Sequence, residues 1–398
     1  MDIIIQPGKL SGTVAAIPSK SQAHRLLICA AFSDKETTLH CPDTNRDIEA
    51  TADCLRSLGT EILRTDTGYT VNPTKKLPAA ATLDCGESGS TLRFMLPIVG
   101  ALGVDGTFQM HGRLPQRPLS PLWEEMERMG CVLSRPASDL IRCTGKLHPG
   151  SYTIDGSVSS QFITGLLYAM ALIPGECNLT ITGKIESQPY IQMTQRAMEA
   201  FGIDTANYQV KRSYPFSSPG NAVVEGDWSN GAFFLAAQAM GSQLQITGLD
   251  PDSPQGDRAI LQRLSELEQY TVISAADIPD LVPVMAVTAA AKKGAVFTNI
   301  ARLRLKESDR VETVAAMLRN LGAEVSVTQD TLTVSPAQFH SCTIDASGDH
   351  RIAMAAAIAA TAADGPVTIL GAECVAKSYP AFWQEYKKLG GKYEQHIR

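Results

Sequence analysis

The chain has 398 residues, 44% of them hydrophobic, which is enough for a large core and long enough for two domains. Its formal charge of −6 argues against a general nucleic-acid binder, which would carry a basic excess. The nine cysteines include no C-x-x-C pair, so they read as small buried residues of a reducing cytoplasm, not as a zinc site or a disulfide framework.

The N-terminus, Met1-Asp2-Ile3-Ile4-Ile5, carries an acidic residue at once and no basic segment; it predicts a short strand and not a signal peptide. The longest apolar runs, residues 281–291 and 352–363, are too short to span a bilayer. Along the chain one pattern recurs: a β-branched strand, a polar turn, an amphipathic helix and, in most copies, a Gly suited to a left-handed helix cap. It occupies residues 37–59, 107–130, 179–202, 244–267, 296–322 and 367–390. A second kind of helix alternates with it, opening from loops rich in Ser, Gly, Asp or His near Ser19, Ser88, Ser159, Trp228, Pro279 and His350. Six copies of a unit with two helices and several strands are therefore expected. Solenoid repeats run about 20–50 residues, so a longer unit suits a few copies around a shared centre, three to a domain. Residues 221–227 and Pro18-Ser19-Lys20-Ser21 are the candidate crossings between domains.

The polar chemistry gathers at the starts of the second kind of helix. In chain order these read Pro18-Ser19-Lys20-Ser21-Gln22-Ala23-His24-Arg25, Gly86-Glu87-Ser88-Gly89-Ser90-Thr91-Leu92-Arg93, Ser157-Val158-Ser159-Ser160-Gln161, Asp277-Ile278-Pro279-Asp280 and Asp349-His350-Arg351. Helix N-termini attract anions, glycine permits close backbone approach, and hydroxyls add donors. Any one Ser or Asp there is more simply a helix cap, but the recurrence of donors and cations in repeated units points to ligand binding. Arg113 and Arg117 lie on a proline-stiffened loop, and guanidinium groups suit carboxylate and phosphate. Lys306-Glu307-Ser308-Asp309-Arg310 is expected to set two cations at i and i+4 of a helix, neutralised by Glu307 and Asp309 or by a bound anion, with Arg302 and Arg304 just upstream. Lys377 is expected to begin the last helix, where a cation calls for an anion. Together these features imply a polyanionic small-molecule site between two domains. The sequence contains no P-loop, H-E-x-x-H, G-x-S-x-G or dinucleotide fingerprint, and no metal-ligand spacing, so a reaction without metal or cofactor is expected.

These residues closely resemble the 5-enolpyruvylshikimate-3-phosphate synthase family over nearly the whole chain, from Lys20 to Lys377. The resemblance implies an α/β fold of two similar domains, each of three βαβαββ repeats around buried helices, an inverse α/β barrel. It also implies a discontinuous first domain, 1–19 with 227–398, bearing the proton acceptor and phosphoenolpyruvate-binding cations, and a second, 20–226, binding shikimate 3-phosphate. Shikimate 3-phosphate would be held by Lys20, Ser21, Arg25, Ser159, Ser160, Gln161, Ser187, Tyr190, Asp280 and Lys306. Phosphoenolpyruvate would be held by Lys20, Gly89, Arg117, Gln161, Arg310, Arg351 and Lys377. Glu307 would protonate the methylene carbon and Asp280 would accept the hydroxyl proton, with Lys20 assisting either transfer.

The implied reaction moves the enolpyruvyl group to the 5-hydroxyl of shikimate 3-phosphate and releases phosphate, in chorismate and aromatic amino acid biosynthesis. A cytoplasmic monomer without cofactor, nucleic acid or membrane partner is expected. Glu87, Ser90, Phe94 and Arg302 depart from residues common in the family and bear on sensitivity to glyphosate. The alternatives are a UDP-N-acetylglucosamine enolpyruvyl transferase, disfavoured because the loop at 111–118 lacks a cysteine, and a silent anion-binding protein, disfavoured because Lys20, Asp280 and Glu307 are all present.

Overall fold

Burial separates the two kinds of helix in the computed structural model, which describes residues 1–211 and 214–396. Lys20–Ala31, Gly89–Leu102, Ser160–Leu172, Trp228–Ala239, Val282–Ala291 and His350–Ala360 are buried around most of their circumference. Every residue of His350–Ala360 is buried. Its alanines favour helix and let neighbouring elements approach closely. Arg46–Ser57, Leu122–Arg128, Gln188–Ala200, Ile260–Glu266, Arg310–Asn320 and Phe382–Lys388 bury only part of their surface and keep charged residues outward. The glycines that follow five of these, Gly59, Gly130, Gly202, Gly322 and Gly390, all have positive φ, the conformation that ends a helix at little cost.

One repeat shows how the strands assemble. Ala80–Asp84 pairs in parallel with Asp105–Gln109 across the inner helix Gly89–Leu102. After the outer helix Leu122–Arg128, Cys131–Ser134 and Leu140–Gly145 form an antiparallel hairpin, whose second strand completes the sheet against Asp105–Gln109. The order is βαβαββ. The same arrangement recurs with Thr271–Ser274 parallel to Ala295–Thr298, and Thr331–Val334 antiparallel to both Ala295–Thr298 and Val325–Val327.

The chain divides into a continuous unit, Pro18–Val224, and a discontinuous one, Met1–Ile17 with Glu225–Arg398. Each has its own hydrophobic core. Two repeats exchange their opening strands. Ser11–Ala15 pairs in parallel with Gln243–Thr247 in the discontinuous unit, whereas Asn221–Val223 pairs in parallel with Thr37–His40 in the continuous one. The first strand, Asp2–Gln6, lies between Val367–Leu370 and Lys392–His396, antiparallel to both, which ties the N-terminus into the last repeat.

Within the continuous unit, Gly165 lets two inner helices meet backbone to backbone. A Cβ there would lie 2.2 Å from the Arg93 carbonyl oxygen. All nine cysteines are free thiols, seven of them buried. No helix among the described residues is long and apolar enough to cross a membrane.

Candidate active site

Five of the six inner helices have a side-chain cap. Ser19, Ser88 and Ser159 accept from the backbone N–H groups of Gln22, Thr91 and Gln161, and Asp227 and Asp349 accept from Asn230 and Arg351. Each cap satisfies one of the several N–H groups left over at a helix start. The sixth inner helix begins at Val282, later than the start expected near Pro279; Asp280 stands in the turn before it, and no side chain caps it.

In the discontinuous unit, charged residues from two successive repeats converge on Asp280. Its Oδ1 accepts from Arg310 at 2.8 Å and from Lys306 Nζ at 3.4 Å, and its Oδ2 accepts from Arg351 at 3.2 Å. Arg310 is the hub. Its Nε and one terminal nitrogen form a fork on Asp349, at 2.9 and 3.2 Å, and that same terminal nitrogen donates to Glu307 Oε2 at 2.6 Å. Lys377 Nζ lies 3.8 Å from the other Glu307 oxygen. Ser308 Oγ also donates to Asp349, at 3.0 Å. The three carboxylates thus sit among four cations, Lys306, Arg310, Arg351 and Lys377.

Burial pushes the Asp280 carboxyl up, but Arg351, Lys306 and Arg310 outweigh it and hold the group well below the usual carboxylate range, with Glu307 opposing them. Burial likewise works against the Arg310 cation, and Asp349, Glu307 and Asp280 more than compensate, raising its pKa. Asp280 is therefore an ionised carboxylate at neutral pH. It can accept a proton only from a group brought directly to it.

Two expectations about local structure are corrected here. Lys306 and Arg310 do not share a helix face: Lys306 is extended, at the end of the 3₁₀ turn Ala301–Leu305, and the helix begins at Arg310 behind its cap Asp309. Asp280 bridges the two cations across the break. Lys377 does not begin a helix but ends the 3₁₀ turn Ala372–Lys377, and the following helix starts at Phe382. Of the upstream arginines, Arg304 pairs with Asp309 and Glu312, and Arg302 donates to the Ala276 carbonyl.

The continuous unit gathers a second polar cluster. Lys20, the first residue of its helix, donates to Asp47 at 2.8 Å. One turn on, Arg25 is buried, with Nε on Thr194 Oγ1 at 2.9 Å and its terminal nitrogens on the carbonyls of Ser21 and Tyr190 at 2.5 and 2.9 Å. Its guanidinium carbon lies 5.2 Å from the centre of the Phe94 ring, which gives that residue a local role. Burial lowers the Arg25 pKa from its ordinary value. Ser187 adopts left-handed φ of 56° just before Gln188–Ala200, and its hydroxyl does not cap that helix. Such backbone in a non-glycine residue costs about 1–3 kcal/mol and tends to occur at functional sites.

Gln161 joins two further helix starts: its Nε2 donates to Ser90 Oγ at 2.9 Å and its Oε1 accepts from Arg93 at 2.8 Å. Arg93 and Arg117 each place a terminal nitrogen 2.7 Å from where a Cβ on Gly89 would be. Two guanidinium groups thus converge on a bare backbone at a helix N-terminus, an arrangement suited to an anion. Ser160 is buried in the first turn of its helix, beside the cap Ser159.

Several participants escaped the sequence reading. Asp47 and Thr194 lie on outer helices whose sequences look merely amphipathic. Arg93 and Asp349 stand within motifs already singled out; a cation four residues into an otherwise apolar helix, and an acid directly before His350-Arg351, were the available signals.

The sequence matches the family profile described as EPSP synthase (3-phosphoshikimate 1-carboxyvinyltransferase) over residues 4–386. It is 36% identical over 419 residues to the 3-phosphoshikimate 1-carboxyvinyltransferase of Clostridium kluyveri, covering 99% of this chain and 98% of that protein. It is also 36% identical over 417 residues to the Clostridium perfringens protein of the same name, covering 98% of each. The fold is similar to EPSP synthase from Acinetobacter baumannii, with a TM-score of 0.80 and 22% identity over 99% of this chain and 100% of that one. It is similar as well to the enolpyruvyl transferase NikO from Streptomyces tendae, with a TM-score of 0.78 and 19% identity over 100% of this chain and 99% of that one. Dispersed motifs, a profile match along almost the entire length and full-length relatives agree, and the chain belongs to the EPSP synthase (3-phosphoshikimate 1-carboxyvinyltransferase) family.

Proposed function

We propose that this enzyme transfers the enolpyruvyl group of phosphoenolpyruvate to the 5-hydroxyl of shikimate 3-phosphate, releasing phosphate. The observation that carries the reading is the Asp280 carboxylate held ionised by Lys306, Arg310 and Arg351, with Glu307 on the same Arg310. Addition requires two proton movements. The 5-hydroxyl loses its proton as its oxygen bonds to C2 of phosphoenolpyruvate, and the methylene carbon gains one. Asp280 is the acceptor from the hydroxyl. Glu307 is the donor to the methylene; it shares Arg310 with Asp280, and two carboxyl groups in different surroundings suit separate acid and base roles. Elimination then breaks the C2–oxygen bond to phosphate while the methyl carbon returns a proton. Lys20 assists at either step.

Shikimate 3-phosphate is assigned to Lys20, Ser21, Arg25, Ser159, Ser160, Gln161, Ser187, Tyr190, Asp280 and Lys306. Phosphoenolpyruvate is assigned to Lys20, Gly89, Arg117, Gln161, Arg310, Arg351 and Lys377. The guanidinium pair at Gly89 and the cations gathered around Asp280 support anion binding at both clusters. Orientation of two bound reactants supplies roughly 7–11 kcal/mol of barrier lowering, and fixed cations stabilise charge as phosphate departs. The reading makes the enzyme a cytoplasmic monomer needing no cofactor. Phosphate release from phosphoenolpyruvate is expected with shikimate 3-phosphate and not with UDP-N-acetylglucosamine; release with only the sugar nucleotide would overturn the assignment.

A further inference from the structure

The discontinuous unit contains another aspartate, one that the proton transfers above do not use. Asp257 lies in the 3₁₀ turn Gly256–Ala259 and is only 2% exposed. Its Oδ2 is hydrogen-bonded to the Ser229 hydroxyl, and its Oδ1 has no hydrogen-bond partner. Ser229 is in the first turn of the inner helix Trp228–Ala239, and the turn bearing Asp257 is braced against that helix by Gln255, which accepts from Trp228 N–H at 3.1 Å and donates to the Gly226 carbonyl at 2.8 Å.

An ionised carboxylate in this position would lack water on one oxygen and would be hydrogen-bonded to no cation. The contrast with Asp349 is direct: that aspartate is also buried, yet it receives the Arg310 fork, the Ser308 hydroxyl and a backbone N–H. Donors of that kind stabilise a buried carboxylate, and Asp257 has only the Ser229 hydroxyl.

We propose that Asp257 is a positioning residue of the transfer reaction, working as a neutral acid that holds Ser229 and leaves Arg351 to Asp280. The inference rests on the enolpyruvyl transfer assigned above and deepens it. Charged groups from three inner helices face Asp257: Asp227 at the cap of Trp228–Ala239, Asp280 before Val282–Ala291, and Arg351 in His350–Ala360. Burial pushes the Asp257 carboxyl up to about 7; Asp280 and Asp227 add to this, and Arg351 and the Ser229 hydroxyl oppose it. Once ionised, Asp257 competes for the Arg351 guanidinium, which lies 3.2 Å from Asp280 Oδ2. The proton acceptor then loses part of its cationic clamp.

The sign follows from linkage. A folded-state value above the ordinary carboxylate value of about 3.9 destabilises the fold progressively as pH rises through that interval, and the penalty is complete above about pH 7. D257N removes the titrating group while keeping its shape. Melting temperatures measured without substrates are therefore expected to show D257N gaining on wild type from about pH 5 to about pH 8. In turnover, the D257N to wild-type ratio of kcat/KM for phosphoenolpyruvate is expected to rise about tenfold from about pH 6 to about pH 8, because only a tenth of the free wild-type enzyme then remains protonated. Taking the ratio cancels titration of the substrates. S229A, which removes the hydroxyl favouring the carboxylate, is expected to move the wild-type alkaline decline to higher pH. A melting difference independent of pH would show that Asp257 does not titrate. A pH-dependent melting difference with a flat kcat/KM ratio would remove its role in the reaction. Complete absence of phosphate release would instead count against the enolpyruvyl transfer itself, because the melting comparison needs no substrate.

Discussion

Arg310 combines structural and chemical demands in one side chain. It is only 1% exposed and is bonded to Asp280, Glu307 and Asp349. Removing it leaves Asp349 buried without its cation, so Arg310→Ala is expected to lose about 3–5 kcal/mol of stability in denaturant unfolding. Arg310→Lys preserves charge but not the planar fork, and its melting temperature is expected to fall below wild type while staying above Arg310→Ala. Asp280→Asn and Glu307→Gln keep shape and remove proton transfer; each is expected to lower kcat about 10²–10⁴-fold with an unchanged circular dichroism spectrum. A near-native kcat in either would remove its acid–base role. Asp280 also carries a stability signature. Because its cations depress its folded-state value, its contribution is present above the ordinary carboxylate pKa and is lost as pH falls, so the stability gap between wild type and Asp280→Asn is expected to narrow below about pH 4.

At the scale of elements, the inner helices trade side-chain bulk for proximity. Gly165 stands where its helix touches the backbone of Gly89–Leu102 at Arg93, and Arg93 in turn reaches Gln161 at 2.8 Å. Gly165→Ala forces the two helices apart and is expected to cost about 1–3 kcal/mol, read as a lowered melting temperature. It should also raise KM, since Gln161 and the guanidinium pair at Gly89 shift with the helices. The alternation of amphipathic and buried helices, the closing glycines and most of the inner-helix starts were legible from composition and period alone. The settings of Lys306 and Lys377 were not. Both lie at the ends of 3₁₀ turns, short segments without an apolar period of their own, and a four-residue spacing between charges looks the same whether or not the chain breaks between them.

At the scale of the whole molecule, a net charge of −6 coexists with local clusters of cations. The binding of phosphorylated carboxylates is thus expected to weaken with salt despite the acidic chain, seen as a rise in KM for phosphoenolpyruvate with ionic strength. The sequence by itself determined the repeat, the α/β class and the residue types at the inner-helix starts, because periodicity and residue type are local properties of a chain. Only the tertiary structure decided which charges meet. Asp280, Arg310 and Arg351 are separated by tens of residues, and Asp257 differs from Asp349 in nothing but its surroundings. Whether a buried carboxyl keeps its charge depends on the donors folded against it, and those come from distant parts of the chain.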